Sequence, residues 1–199
     1  MRFSGGRPIS FPDWLAIARI VAVPVIMGLT RLYLHPTYPL AGQALYLAAL
    51  LFAAAAITDF LDGYLARRWK QESVTGAFLD TTADKLLVSG SLLALTAIDR
   101  VSIWAALIII MREFLVMGLR GVVAVGGGMM KPTTWGKVKA WAQYLAIFLA
   151  FLRLPERWGP LYLDQWVMWI AVIVTIGSGW QYFVGFWEQA RKTRSSTTA

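Results

Sequence analysis

DFLDGYLARRWKQESVTGAFLDTTAD, residues 59–84, sets four carboxylates, Asp59, Asp62, Asp80 and Asp84, between two strongly apolar runs. The upstream run, from about Leu40 to Ala66, is long enough to cross the hydrocarbon core of a bilayer, and so is the downstream run from about Ala77 to Ile98. Between them Arg67-Arg68-Trp69-Lys70 forms a basic stop of the kind found at a membrane surface. Both runs therefore read as helices, and a short connection at Ser73–Gly76 would fold them into an antiparallel hairpin. A spacing of i, i+3 puts Asp59 and Asp62 on one face of the first helix, and i, i+4 puts Asp80 and Asp84 on one face of the second. The hairpin would gather all four slightly below the membrane surface. Helix-end solvation would account for Asp59 alone, but acids inside an apolar helix are costly and mark a working site.

The remainder of the chain supports the bilayer. Of 199 residues 58% are hydrophobic, and the 19 lysines and arginines are scattered between apolar runs rather than gathered on a polar module, which argues against a nucleic-acid partner. The absence of cysteine excludes disulfides, thiolate metal sites and cysteine nucleophiles. Further apolar runs at about Trp14–Leu34, Val101–Val125, Trp135–Leu152 and Leu163–Trp187 bring the expected membrane helices to six. The fold class is thus all-α, a polytopic six-transmembrane-helix bundle. Residues 1–13 read as a cytosolic or interfacial lead-in, 14–190 as the single domain and 191–199 as a disordered polar tail. With the N-terminus in the cytosol, eleven lysines and arginines fall on that side and only Arg31, Arg100, Arg153 and Arg157 on the other. Both termini and the Asp59–Asp84 connection then face the cytosol. Arg19, inside the first run, reads either as an anchor snorkelling to the interface or as a ligand contact. His35, the single histidine, lies in a proline-rich turn with no acid beside it and is not a catalytic candidate.

Four clustered carboxylates repel one another at neutral pH unless cations neutralise them. Oxygen donors without histidine or cysteine suit Mg2+ or Mn2+ better than zinc. Four acids around two divalent ions can clamp a phosphoryl group during displacement. Gly63, Ala66 and Gly76 leave room either for a ligand or for close helix packing. Arg67 is placed to pair with a phosphate oxygen.

The stretch is similar to the signature of the CDP-alcohol phosphatidyltransferases, D-x2-D-G-x2-A-R-x8-G-x3-D-x3-D. Asp59, Asp62, Gly63, Ala66, Arg67, Gly76, Asp80 and Asp84 fill its eight fixed places. The resemblance implies a homodimer of six-helix domains that transfers a phosphatidyl group from a CDP-linked lipid to an alcohol and releases CMP. It implies two Mg2+ or Mn2+ ions on the four aspartates, with Asp84 also the base that takes the acceptor's proton. Gly63, Arg67 and Ser73 would contact the CDP moiety, with Ala66 and Gly76 beside them. No activated serine, cysteine or histidine is visible near the aspartates, which favours direct attack over a covalent intermediate.

The acceptor is read from the fourth run, where Arg112, Glu113 and Arg120 interrupt apolar sequence and Gly136-Lys137-Val138-Lys139 follows. Arg112 and Arg120 are eight residues apart and nearly on one helical face. An anionic acceptor would neutralise them, whereas an internal salt bridge of Glu113 with a helix neighbour would account for one arginine. Lys137 and Lys139 serve equally well as topology charges or as phosphate ligands. The run MREFLVMGLR followed by GKVK resembles the bacterial branch of the family whose acceptor is sn-glycerol 3-phosphate, which implies that Arg112, Arg120, Lys137 and Lys139 hold the acceptor phosphate. It also implies CDP-diacylglycerol as donor, a role in phospholipid biosynthesis and a place in the bacterial cytoplasmic membrane among its lipids. Inositol phosphate, phosphatidylglycerol and serine are the competing acceptors. A cation-coupled transporter is the reading from another class, but it would want its acids near the bilayer midplane.

Overall fold

The computed structural model describes the backbone of residues 11–69, 74–125, 134–155 and 157–197, and side chains over 13–59, 76, 78–125, 135–136, 138–155 and 157–187. Among the described residues the helices are α1 (Phe11–Tyr33), α2 (Ala44–Trp69), α3 (Val74–Thr96), α4 (Ile103–Val125), α5 (Thr134–Leu152) and α6 (Leu163–Thr197). The chain divides into two compact units, Met1–Ile98 and Asp99–Ala199, each built on three helices.

In the first unit α1 packs against both α2 and α3, which touch one another far less. The sequence makes this close approach feasible. On α2 Ala44, Ala48, Phe52 and Ala55 recur every three or four residues, and all are buried. Lipid is as apolar as a leucine side chain, so helices gain from one another chiefly by backbone approach and van der Waals contact, which small residues permit. On α3 Gly90 serves the same end, because a Cβ there would collide with the Cγ1 of Val23. Val23 precedes Pro24, which lies within α1 and removes one backbone donor from its ladder.

The second unit repeats the arrangement, with α6 as the helix against which both α4 and α5 pack. The buried stripe of α6 runs Asp164, Met168, Ala171, Val172, Thr175, Ser178 and Tyr182, at helical spacing and with polar groups in its middle. Arg100 donates to the carbonyls of Ala150 (3.1 Å) and Phe151 (2.6 Å), satisfying acceptors that the end of α5 leaves open.

Three features depart from the expected layout. The all-α reading omitted a small antiparallel hairpin, β1 (Arg157–Trp158) and β2 (Leu161–Tyr162), with Arg157 opposite Tyr162. Its two-residue connection is Gly159, at φ 75°, and Pro160, and only glycine adopts that φ without strain. Helix α6 continues to Thr197, through the stretch expected as a disordered tail, because Glu188, Gln189, Ala190, Arg191 and Lys192 are good helix formers. Helix α1 begins at Phe11 rather than Trp14, and Pro12 sits in its first turn, where a missing N–H breaks no bond.

Six helices are present where six membrane spans were expected, but they are not equally apolar. Among the described residues two helical stretches are long and apolar enough to cross a membrane by length and composition, Asp13–Tyr33 and Leu163–Trp187. Charges inside the other helices set them apart, as with Asp80, Asp84 and Lys85 in α3 and Arg112, Glu113 and Arg120 in α4. The outer faces are apolar nonetheless, since Leu50, Phe78, Leu93, Leu115 and Ile173 are each more than half exposed. Helices apolar on their outer as well as their buried faces are suited to a lipid environment.

Candidate functional site

The carboxylates of the first unit come together around an arginine. Arg19 of α1 is 1% exposed, and its guanidinium donates through Nη1 to Oδ1 of Asp59 on α2 and through Nη2 to Oδ1 of Asp80 on α3, the latter at 2.7 Å. One planar fork thus joins three helices at one end of the unit. Asp84 follows Asp80 by one helical turn and pairs with Lys85 at 2.6 Å. Asp59 senses the negative charges of Asp84 and Asp80 together with the positive charge of Arg19, so the three acids share one electrostatic neighbourhood. The side chains of Asp59 and Asp80 remain 26% and 48% exposed, whereas Arg19 is buried.

This differs from the expected hairpin in its cause. Helices α2 and α3 contribute the acids, but α1 is the common support, and its arginine draws two of the carboxylates together. Reading Arg19 as an interfacial anchor is thereby corrected. Once buried, the guanidinium is far less costly ion-paired with the two acids than it would be unpaired. Gly76 stands in the first turn of α3, four residues before Asp80. Asp62, Gly63, Ala66 and Arg67 fall on the last turns of the α2 helical backbone, with side chains outside the described residues, and Ser73 lies outside them altogether. Among the described residues no three acidic, imidazole or thiol groups gather closely enough to hold an ion. The expected set includes Asp62.

The second unit holds a buried polar chain. Glu113 of α4, 2% exposed, accepts from Nη1 of Arg112 at 3.1 Å and from Nζ of Lys139 on α5. Nη2 of Arg112 donates to Oγ of Ser178 on α6 at 2.9 Å, and its guanidinium lies 5.5 Å from the centre of the Tyr182 ring. Ser178 donates to the carbonyl of Thr175, whose hydroxyl accepts from Nε2 of Gln143 at 2.9 Å. Gly179 makes room for this, because a Cβ there would stand 3.2 Å from Cγ of Arg112.

Of the four residues expected at an acceptor phosphate, the structure brings Arg112 and Lys139 together on Glu113. Arg120 is exposed, two turns further along α4, and makes no hydrogen bond or ion pair among the described residues. The side chain of Lys137 lies outside those residues. The salt bridge weighed for Glu113 is therefore present, and it engages Arg112 and Lys139 at once. Among the described residues two cations pair with one anion here, a positive excess. Sequence reasoning missed Lys85, Gln143 and Thr175, and the hydrogen bonds of Ser178. The position of Ser178 between two glycines was a usable signal, since Gly179 marks a close helix contact while a Cβ on Gly177 would meet nothing within 4 Å.

Comparison with known proteins adds relatedness to this geometry. A family model described as CDP-alcohol phosphatidyltransferase matches residues 9–177. A Bacillus subtilis protein named CDP-diacylglycerol–glycerol-3-phosphate 3-phosphatidyltransferase is 37% identical over 188 residues, covering 90% of this chain and 96% of the relative. A protein of the same name from Rickettsia bellii is 38% identical over 177 residues, covering 87% and 93%. Another from Pectobacterium atrosepticum is 39% identical over 170 residues, covering 80% and 92%.

Proposed function

The chain belongs to the CDP-alcohol phosphatidyltransferase family, and from that membership we propose that it transfers the phosphatidyl group of CDP-diacylglycerol to sn-glycerol 3-phosphate. The products are phosphatidylglycerophosphate and CMP, and the reaction belongs to phospholipid biosynthesis. The observation that carries this reading is that relatives sharing one name match the chain over 80–90% of its length. The filled eight-place signature supports the reaction class, and helix α4 bears on the acceptor.

On this reading Asp59, Asp62, Asp80 and Asp84 hold two divalent ions. The donor set fits Mg2+ or Mn2+, being carboxylate oxygen alone, and Asp59 and Asp80 already share one cationic group. Bound there, the ions would offset the charge of the diphosphate and ease the departure of CMP. Asp84 takes the proton of the acceptor hydroxyl as its oxygen bonds to the lipid-linked phosphorus and the phosphorus–oxygen bond to CMP breaks. Gly63, Ala66, Arg67, Ser73 and Gly76 contact the CDP-lipid. Arg112, Arg120, Lys137 and Lys139 hold the acceptor's phosphate, whose charge would offset the positive excess around Glu113.

The six helices span the bacterial cytoplasmic membrane with both termini in the cytosol, and the protein works as a homodimer. The lysine and arginine asymmetry supports the orientation. The test supplies purified protein in detergent with CDP-diacylglycerol, Mg2+ or Mn2+, and each candidate acceptor in turn, and follows CMP. Release dependent on glycerol 3-phosphate is expected. No CMP with any alcohol would overturn the enzyme reading, and release only with inositol phosphate would overturn the acceptor.

A further inference from the structure

Arg19 has no part in the reaction just described, yet it is almost wholly buried and ion-paired with two of the proposed metal ligands. Its two amino groups are divided between Asp59 and Asp80, carboxylates on separate helices, and the rigid guanidinium plane fixes their separation. Neither carboxylate side chain is fully buried by this pairing. Lys85 offsets a third acid, Asp84. Among the described residues Asp59, Asp80 and Asp84 therefore meet two cations, Arg19 and Lys85, which offset much of their charge.

We propose that Arg19 is a built-in counter-cation of the carboxylate site, holding Asp59 and Asp80 in place before any divalent ion binds and weakening the affinity for that ion. The proposal rests on the reading that these aspartates hold divalent ions. Two consequences follow from charge alone. Without Arg19 the ion-free protein keeps carboxylates whose mutual repulsion is less compensated, so it loses stability. An incoming ion then meets one positive charge fewer, so it binds more tightly. Because binding to the folded state stabilises it by mass action, the ion should stabilise an Arg19 variant more than the natural protein. Arg19 is a positioning residue in this account and touches no reacting atom.

The experiment measures Mn2+ binding to the full-length protein in detergent by electron paramagnetic resonance, alongside thermal unfolding in EDTA and in Mn2+. For Arg19→Met the expected result is a Mn2+ dissociation constant lower by about tenfold or more, as removal of a neighbouring unit charge from a site of low dielectric requires. The same variant should melt lower than the natural protein in EDTA and recover most of the difference in Mn2+. Arg19→Lys keeps the charge, and its Mn2+ affinity should stay within about threefold of the natural protein. Unchanged or weaker Mn2+ binding in Arg19→Met overturns the proposal. If Arg19→Met does not fold, Arg19→Lys decides, a shift beyond about tenfold overturning the role of charge. Absence of Mn2+ binding by the natural protein would instead overturn the metal reading on which the proposal rests.

Discussion

Asp84 carries two proposed duties, as a ligand and as the base, and a carboxamide in its place keeps the shape while losing the ability to accept a proton. Asp84→Asn is expected to abolish CMP release while CDP-diacylglycerol binding, followed by protection against thermal unfolding, stays largely intact. Retained turnover would remove Asp84 from the role of base. The two arginines of α4 should separate in a way their spacing alone does not suggest. Arg120 is exposed, so Arg120→Ala should raise the KM for glycerol 3-phosphate by about tenfold or more without moving the melting temperature. Arg112 is hydrogen-bonded to Glu113 and Ser178, so Arg112→Ala should raise the same KM and also cost about 1–3 kcal/mol of stability. Denaturation and acceptor titrations on both variants check the pair. At this scale the aspartates were legible because their spacing is local. The partners of Arg19 were not, since they lie 40 and 61 residues away, and nor was the bond of Arg112 to Ser178, 66 residues from it.

Helix α1 supports the first unit through close approach, and at Gly90 that approach leaves no room for a side chain. Gly90→Val should destabilise the protein by about 1–3 kcal/mol, because the added methyl groups meet Val23 and must push α1 away. The shift should be visible as a lower melting temperature, with tighter Mn2+ binding to the extent that Arg19 moves away with its helix. An unchanged melting temperature would mean that α1 can slide without cost. Helix positions were readable from apolar runs and charged stops to within a few residues, except at the end of α6. The β1–β2 hairpin was not, because a two-residue strand has no periodicity to detect and Gly159-Pro160 reads as any turn. The extension of α6 was hidden for a different reason, as a polar helix end and a polar tail share one composition.

For the whole molecule the absence of cysteine is an experimental convenience, since single cysteines placed at residues 3, 98 and 195 become the protein's sole thiols. In membrane vesicles of known sidedness, an impermeant thiol reagent should label the first and last positions from the cytosolic face and residue 98 from the other. Labelling of all three from one face would refute the six-span topology. The helix count was legible, since six apolar runs give six helices, while among the described residues two helical stretches are long and apolar enough to cross a membrane. The bond between α1 and the later helices also bears on how the protein is made. Synthesis proceeds from the N-terminus, so Arg19 leaves the ribosome 40 residues ahead of Asp59 and 61 ahead of Asp80. An apolar segment with an arginine inside is costly to commit to lipid alone. Nascent chains halted before Asp59 should therefore be retained near the insertion machinery, and those extended beyond Asp80 should be released as a lipid-stable unit. Crosslinking of staged translation intermediates would reveal this timing.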